Sequence, residues 1–157
     1  MEAAAFPMIP VKGQAVRDRK MQQAEASRER KIDPIDLAVA LAAVLDRKKA
    51  DHIEVLDLRS ITILADYFVL ASGFARIQIQ ALCDAALEEG RLIKKKCRSV
   101  EGYEDSGWIL MDYGDVIVHL LTEESRDYYR LERLWGDAPR VDWQTSPLPV
   151  HSEEGSK

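Results

Sequence analysis

Apolar positions along the chain recur at two periods, one typical of helices and one typical of strands. Asp33 is an N-cap candidate followed by Pro34, and apolar residues then recur at helical spacing to about residue 48. The run over 65–73 is nearly continuous in apolar residues, which predicts a strand buried on both faces. The rest of the pattern predicts strands over 52–58, 95–102, 107–112 and 115–122, and helices over 75–89, ending at Gly90, and 123–135.

The order of these elements indicates one α/β domain. We predict a mixed sheet of about five strands with flanking helices, an α/β sandwich, over residues 33–136. Residues 1–32 have almost no apolar stripe and are predicted to be a flexible charged leader. Residues 137–157 contain three prolines and are predicted to be a flexible C-terminal tail.

Composition and charge narrow the class of protein. No apolar run approaches the roughly 18 residues that span a bilayer, and the N-terminus lacks a secretory signal, so we expect a cytoplasmic protein. The first 32 residues carry seven basic and four acidic side chains, whereas the other 125 carry 15 basic and 23 acidic ones. An acidic body is poor at binding phosphates and suits a basic protein partner better, although acidic domains can also simply be soluble.

The two strands before the last helix are predicted to form a hairpin with its turn at residues 113–114. In that register Trp108 lies opposite His119, and Asp112 lies opposite Asp115. Because side chains alternate along a strand, these residues share one face of the sheet, while the other face is wholly apolar and is predicted to be core. The mixed face is either covered by a helix or offered to a partner.

Three features of the sequence have both a chemical and a structural interpretation. Paired aspartates can hold a metal, but aspartates beside a turn more often accept backbone hydrogen bonds, and with no third oxygen ligand nearby we predict no metal site. For His119, packing or partner contact is favoured over metal binding. Ser72 and Gly73 precede a helix, whose N-terminus favours anions, and this weak signal is the basis for an enzymatic alternative.

The predicted last helix places Tyr128, Leu131 and Trp135 on one stripe, which favours core packing. Its arginines alternate with acidic residues and are therefore predicted to be solvated rather than part of a nucleic-acid patch. These arginines are Arg126, Arg130 and Arg133.

Four segments form a distinctive pattern: LDLRS at 56–60, ADYFVLASG at 65–73, VEGYEDSGWILMDYGDVIVHLL at 100–121, and EESRDYYRLERLW at 123–135. Together they closely resemble the ribosomal silencing factor family, also called the Iojap-like family. The resemblance covers about residues 34–136. The leader and the tail after Gly136 lie outside the pattern.

The resemblance implies a translational repressor without enzymatic activity or a cofactor. Members of this family bind ribosomal protein L14 on the face of the large ribosomal subunit that meets the small subunit. A factor bound there prevents subunit joining sterically and slows protein synthesis when nutrients are scarce. The resemblance also implies a homodimer in isolation, binding to the ribosome as a monomer, and a fold related to nucleotidyltransferases.

We therefore expect the mixed face of the hairpin and nearby acidic residues to bind the partner, with no membrane contact and no sequence-specific nucleic-acid binding. The expected contacts are Trp108 and His119 at the centre, with Asp112, Asp115, Glu101 and Tyr129. On this hypothesis Trp108→Ala weakens ribosome binding without unfolding the domain. Tyr129 and Trp135 could instead dock the last helix on the sheet. The alternative functions are a nucleotidyltransferase-fold enzyme and an interaction adaptor unconnected to the ribosome.

Overall fold

The computed structural model describes residues 32–145, and the leader, apart from Ile32, lies outside them. Ile32 packs against the core at the start of the first helix. The elements in chain order are α1 (Pro34–Arg47), β1 (Asp51–Asp57), β2 (Tyr67–Gly73), α2 (Arg76–Leu92), β3 (Ser99–Glu101), β4 (Trp108–Asp112), β5 (Val116–Thr122), α3 (Glu123–Tyr129) and α4 (Leu131–Leu134).

The strands form one five-stranded sheet in the order β1-β2-β5-β4-β3. Strands β2 and β5 are parallel, whereas the other neighbouring pairs are antiparallel. Parallel neighbours need a crossover connection, and the chain between them includes α2. Strand β2 is buried along its whole length, as its continuous apolar run predicted. The predicted mixed sheet with flanking helices is confirmed.

Helices α1 and α2 cover one face of the sheet and enclose the larger core with it. Helix α2 was predicted to end at Gly90 but continues to Leu92. Gly90 is instead a point of close packing, because a Cβ there would lie 2.7 Å from the carbonyl oxygen of Lys95 and 3.2 Å from the ring of Tyr113. This glycine therefore lets the hairpin approach the end of α2.

The predicted register of the hairpin is wrong by two residues. Trp108 pairs with Leu121, and Asp112 pairs with Ile117. The backbone N–H of Tyr113 donates to the carbonyl oxygen of Val116 at 2.9 Å, so the strands continue one pair further than predicted and bury both of these side chains. Because a shift of two residues keeps the alternation, the predicted division into two faces holds.

The predicted helix over 123–135 is two short helices separated at Arg130. This residue adopts the left-handed conformation, with φ of 53°, and its backbone N–H donates to the carbonyl oxygen of Arg126 at 2.9 Å. The change of direction brings Leu131 and Trp135 onto the second face of the sheet but leaves Tyr128 exposed. The single predicted stripe is therefore wrong, because it assumed an unbroken helix.

The folded chain continues past the predicted start of the tail at residue 137. The backbone N–H of Asp57 donates to the carbonyl oxygen of Pro139, and that of Val141 donates to the carbonyl oxygen of Val55, both at 2.8 Å. Trp143 packs against the larger core. The segment pairs here because β1 is an edge strand whose outer backbone groups need partners. The flexible-tail prediction is wrong for 137–143, and residues 146–157 lie outside the described part.

Candidate functional site

The mixed face of the hairpin is part of the protein interior. Trp108 is 3% exposed and His119 is 1% exposed. They are diagonal neighbours across the hairpin, and the indole Nε1–H of Trp108 donates to Nδ1 of His119 at 3.0 Å. The predicted partner surface centred on these two side chains is therefore corrected, since neither reaches the surface of the described chain. The mixed face is therefore covered by other parts of the chain and is not offered to a partner.

His119 is held as a neutral imidazole. Burial lowers its pKa from 6.5 to about 3, because the charged ring would lose its hydration in the interior. Its ring packs edge-on against Phe68, with centroids 4.5 Å apart. Since Nδ1 accepts the hydrogen bond from the indole N–H, the proton of the neutral imidazole is on Nε2. This atom is buried with no hydrogen-bond partner among residues 32–145. These contacts make His119 a packed residue and not a surface base.

The aromatic residues that follow β5 form the cover of this face. Tyr129 at the end of α3 packs on Trp108 with ring centroids 4.8 Å apart. Trp135 packs edge-on against Phe68 with centroids 5.4 Å apart. Tyr129 and Trp135 thus dock the C-terminal helices on the sheet, which is the structural alternative that the sequence left open for them.

The two aspartates near the turn do not face each other. Asp112 Oδ1 accepts a hydrogen bond from the backbone N–H of Gly114 at 2.7 Å, which is the expected role of an aspartate beside a turn. Asp115 lies within the turn, and its carbonyl oxygen accepts from the backbone N–H groups of Asp66 and Tyr67. Both side chains are half-exposed at the end of the sheet where β2 and β5 begin.

Glu101 lies apart from the other predicted contact residues. It is half-exposed on β3, the short strand at the edge of the sheet, and pairs with Leu110. The structure therefore brings Trp108, His119 and Tyr129 into one cluster, while Glu101 lies on an edge strand and the two aspartates lie at one end of the sheet.

Arg126 is a residue whose role the sequence pattern did not reveal. It was predicted to be solvated but is 8% exposed, so that prediction is wrong. Its guanidinium Nη1 donates to the carbonyl oxygen of His52 at 2.7 Å and to the hydroxyl of Ser72 at 2.9 Å. One signal was available: a serine in a strand buried on both faces needs a hydrogen-bond partner.

The same contact weighs against an anion site at Ser72 and Gly73. Ser72 is fully buried and its hydroxyl is held by Arg126. At Gly73 a Cβ would lie 2.9 Å from Cγ2 of Ile79, so the space beside this glycine is filled by α2. Within residues 32–145, no group of three or more His, Cys, Asp or Glu side chains could hold a metal ion. Over the same residues, no helix is long and apolar enough to cross a membrane.

A comparison with known proteins decides the family. The family model described as "Ribosomal silencing factor during starvation" matches residues 31–157. This chain belongs to the ribosomal silencing factor family. The match confirms the family resemblance, and it also corrects the expected boundary, because the family model extends past residue 136 into the C-terminal segment.

Individual members of the family support the assignment over most of their length. "Ribosomal silencing factor RsfS" of Bacillus subtilis is 43% identical over 105 residues, covering 64% of this chain and 86% of the relative. The protein of the same name from Halalkalibacterium halodurans is 42% identical over 110 residues, covering 68% of this chain and 90% of the relative. A crystal structure of a Chromobacterium violaceum protein superposes with a TM-score of 0.65 at 30% identity, covering 67% of this chain and 88% of that one. The family name places these proteins in the regulation of translation.

Proposed function

We propose that this protein is a translational repressor that binds the large ribosomal subunit through ribosomal protein L14. Bound there, it blocks joining with the small subunit and slows protein synthesis under nutrient limitation. The observation that carries the proposal is the family match over residues 31–157, which includes every described element. The repressor acts in the cytoplasm without a catalytic step, and it forms a homodimer when free of the ribosome.

The charge of the body supports a protein partner with a basic surface. Beyond residue 32 the chain carries 23 acidic and 15 basic residues. Opposite charges steer encounter and suppress wrong partners, whereas an acidic surface is repelled by the phosphates of ribosomal RNA. A folded body with helices on both faces of a sheet can exclude the small subunit simply by occupying its place.

The six predicted contact residues enter this proposal in two roles. Glu101, Asp112 and Asp115 are half-exposed carboxylates and remain proposed contacts with the basic partner. The cluster of Trp108, His119 and Tyr129 acts indirectly, because its side chains hold the C-terminal helices against the sheet.

The two alternative functions differ in what favours them. The buried hydroxyl of Ser72 and the filled space beside Gly73 weigh against a nucleotidyltransferase-fold enzyme. Turnover of a nucleoside triphosphate in the presence of Mg²⁺ would nevertheless overturn the non-enzymatic proposal. An adaptor unconnected to the ribosome is distinguished by where the protein migrates in a gradient.

The experiment is sedimentation of a lysate and of purified subunits through sucrose at low salt. We expect the full-length protein to migrate with free large subunits and to be scarce in assembled ribosomes. Adding it to purified subunits should reduce the fraction that joins, and isolated ribosomal protein L14 should compete for it. Protein that stays at the top of the gradient, or joining that is unaffected by saturating protein, would contradict the proposal.

A further inference from the structure

Two large apolar side chains are exposed at the end of the sheet where β2 and β5 finish. Phe74, directly after β2, is 82% exposed, and Ile77, in the first turn of α2, is 76% exposed. Single exposed apolar residues are normal on protein surfaces, but here two such side chains lie only three positions apart in the chain. Among residues 32–145, neither side chain packs into either hydrophobic core.

The backbone that carries the pair is held in place. The side-chain oxygen of Gln78 accepts a hydrogen bond from the backbone N–H of Phe74 at 2.5 Å, and the backbone N–H of Gln78 donates to the carbonyl oxygen of Ala75 at 3.0 Å. Ile79, two residues after Ile77, is fully buried and anchors the turn. A partner that covers the pair therefore loses little free energy in ordering this segment.

Three segments converge at this end of the sheet: 74–77, 103–107 and 123–127. Gly73 pairs with Thr122, so the start of α2 and the start of α3 follow neighbouring strand ends. The loop between β3 and β4 joins both, because the Thr122 backbone N–H donates to the Gly107 carbonyl oxygen at 2.9 Å. On its other side, the amide of Gln80 in α2 donates to the carbonyl oxygen of Tyr103 at 2.7 Å.

The surface formed by these segments is acidic. Its exposed charged side chains are one base, Arg76, and five acids, Glu104, Asp105, Glu123, Glu124 and Asp127. The other arginine of these segments, Arg126, is turned inward onto Ser72. An apolar pair on the same end of the sheet as five acids matches a protein surface that has apolar side chains beside Lys and Arg, whereas RNA phosphates would be repelled.

We propose that this surface, Phe74 and Ile77 with the five acids, is a docking surface for a basic protein. Resting on the proposed function, the inference assigns it to the protein component that anchors the factor on the large subunit, and not to ribosomal RNA. The proposed contacts of Asp112 and Asp115 lie at the other end of the sheet, where β2 and β5 begin, and are separate from this surface. Burial of the apolar pair supplies affinity, and the five acids raise the rate of encounter and make it depend on salt.

The test uses full-length protein and purified large subunits. Phe74→Glu and Ile77→Glu are expected to weaken binding about tenfold or more, because each places a charge in the contact. Leu92→Glu, a 51% exposed apolar residue at the far end of α2, is the matched control and should change binding less than about twofold. The double change Glu104→Lys with Asp105→Lys should weaken binding and flatten its salt dependence, whereas Asp137→Lys, an exposed acid outside these segments, should not.

The outcomes separate this inference from the proposed function. Failure of the unaltered protein to bind large subunits would overturn both. The unaltered protein can bind while the Phe74 and Ile77 variants, shown by circular dichroism to be folded, bind equally well. In that case the docking surface is wrong and the proposed function stands. Tighter binding by these variants would also overturn the docking surface. It would mean that the basic leader of the same chain occupies this surface and competes with the large subunit. Selective weakening of the variants against their controls supports it.

Discussion

Trp108 and His119 are joined by a buried hydrogen bond, from the indole Nε1–H to the imidazole Nδ1, at 3.0 Å. Tyr129 covers Trp108 and Phe68 contacts His119, so the pair links the sheet to the segment that follows it. The mixed hairpin face is therefore an interior that holds the two C-terminal helices, and not a surface that binds a partner.

Trp108→Ala should therefore act on stability and not on partner binding. We expect a loss of about 3–5 kcal/mol in the free energy of unfolding, because a large buried side chain is deleted. Trp108→Phe keeps most of the packing but leaves Nδ1 of His119 unpaired, which should cost about 1–3 kcal/mol. Urea unfolding measures both, and the folded fraction of Trp108→Phe should bind large subunits normally. A Trp108→Ala protein of unchanged stability that no longer binds large subunits would instead support the partner surface that the sequence predicted around Trp108.

The free energy of unfolding should decrease as the pH is lowered, because of His119. Its pKa is about 3 in the folded protein against 6.5 for an ordinary histidine, so the unfolded chain binds a proton that the folded chain does not. The stabilising effect is complete above about pH 6.5 and is lost as pH falls towards 3, at up to about 1.4 kcal/mol per pH unit.

Between pH 7 and pH 5, this one group should remove about 2 kcal/mol from the free energy of unfolding. His119→Gln, which cannot titrate but can still accept the indole hydrogen bond, is the comparison. The difference between the two pH profiles from urea unfolding should disappear if His119 is solvated and titrates normally in the folded protein.

Arg126→Met should destabilise the protein by about 2–4 kcal/mol. The change leaves the His52 carbonyl oxygen and the Ser72 hydroxyl without a buried cationic donor, and such bonds are stronger than neutral ones. The matched control is Arg133→Met on the exposed part of α4, with an expected effect within about 0.5 kcal/mol. Equal effects of the two changes in denaturant unfolding would show that the inward contacts of Arg126 contribute nothing.

Chains ended after residue 136 and after residue 145 should differ in stability by about 3 kcal/mol. The shorter one loses two backbone hydrogen bonds to β1 and the packing of Trp143. Both are compared with the full chain by chemical denaturation. Identical unfolding curves for the two truncated chains would mean that residues 137–145 are a tail after all.

Much of the architecture follows from local patterns. Pro34 and the apolar spacing after it predict α1, and the unbroken apolar run of β2 predicts a strand covered on both sides. The division of the hairpin into two faces survives the error in register because alternation depends only on whether the shift is odd or even. The family resemblance is carried by the same local segments.

The exposure of each predicted contact residue was decided by tertiary structure. Alternation places Trp108 and His119 on the same side as Leu110, but it cannot say that Tyr129 and Phe68 close over that side. The left-handed turn at Arg130 redirects the chain there, and the pairing of residues 139–141 with β1 involves partners more than eighty positions apart. Sequence periodicity reports which side chains share a face, whereas burial depends on contacts between distant segments, and only the folded chain contains those.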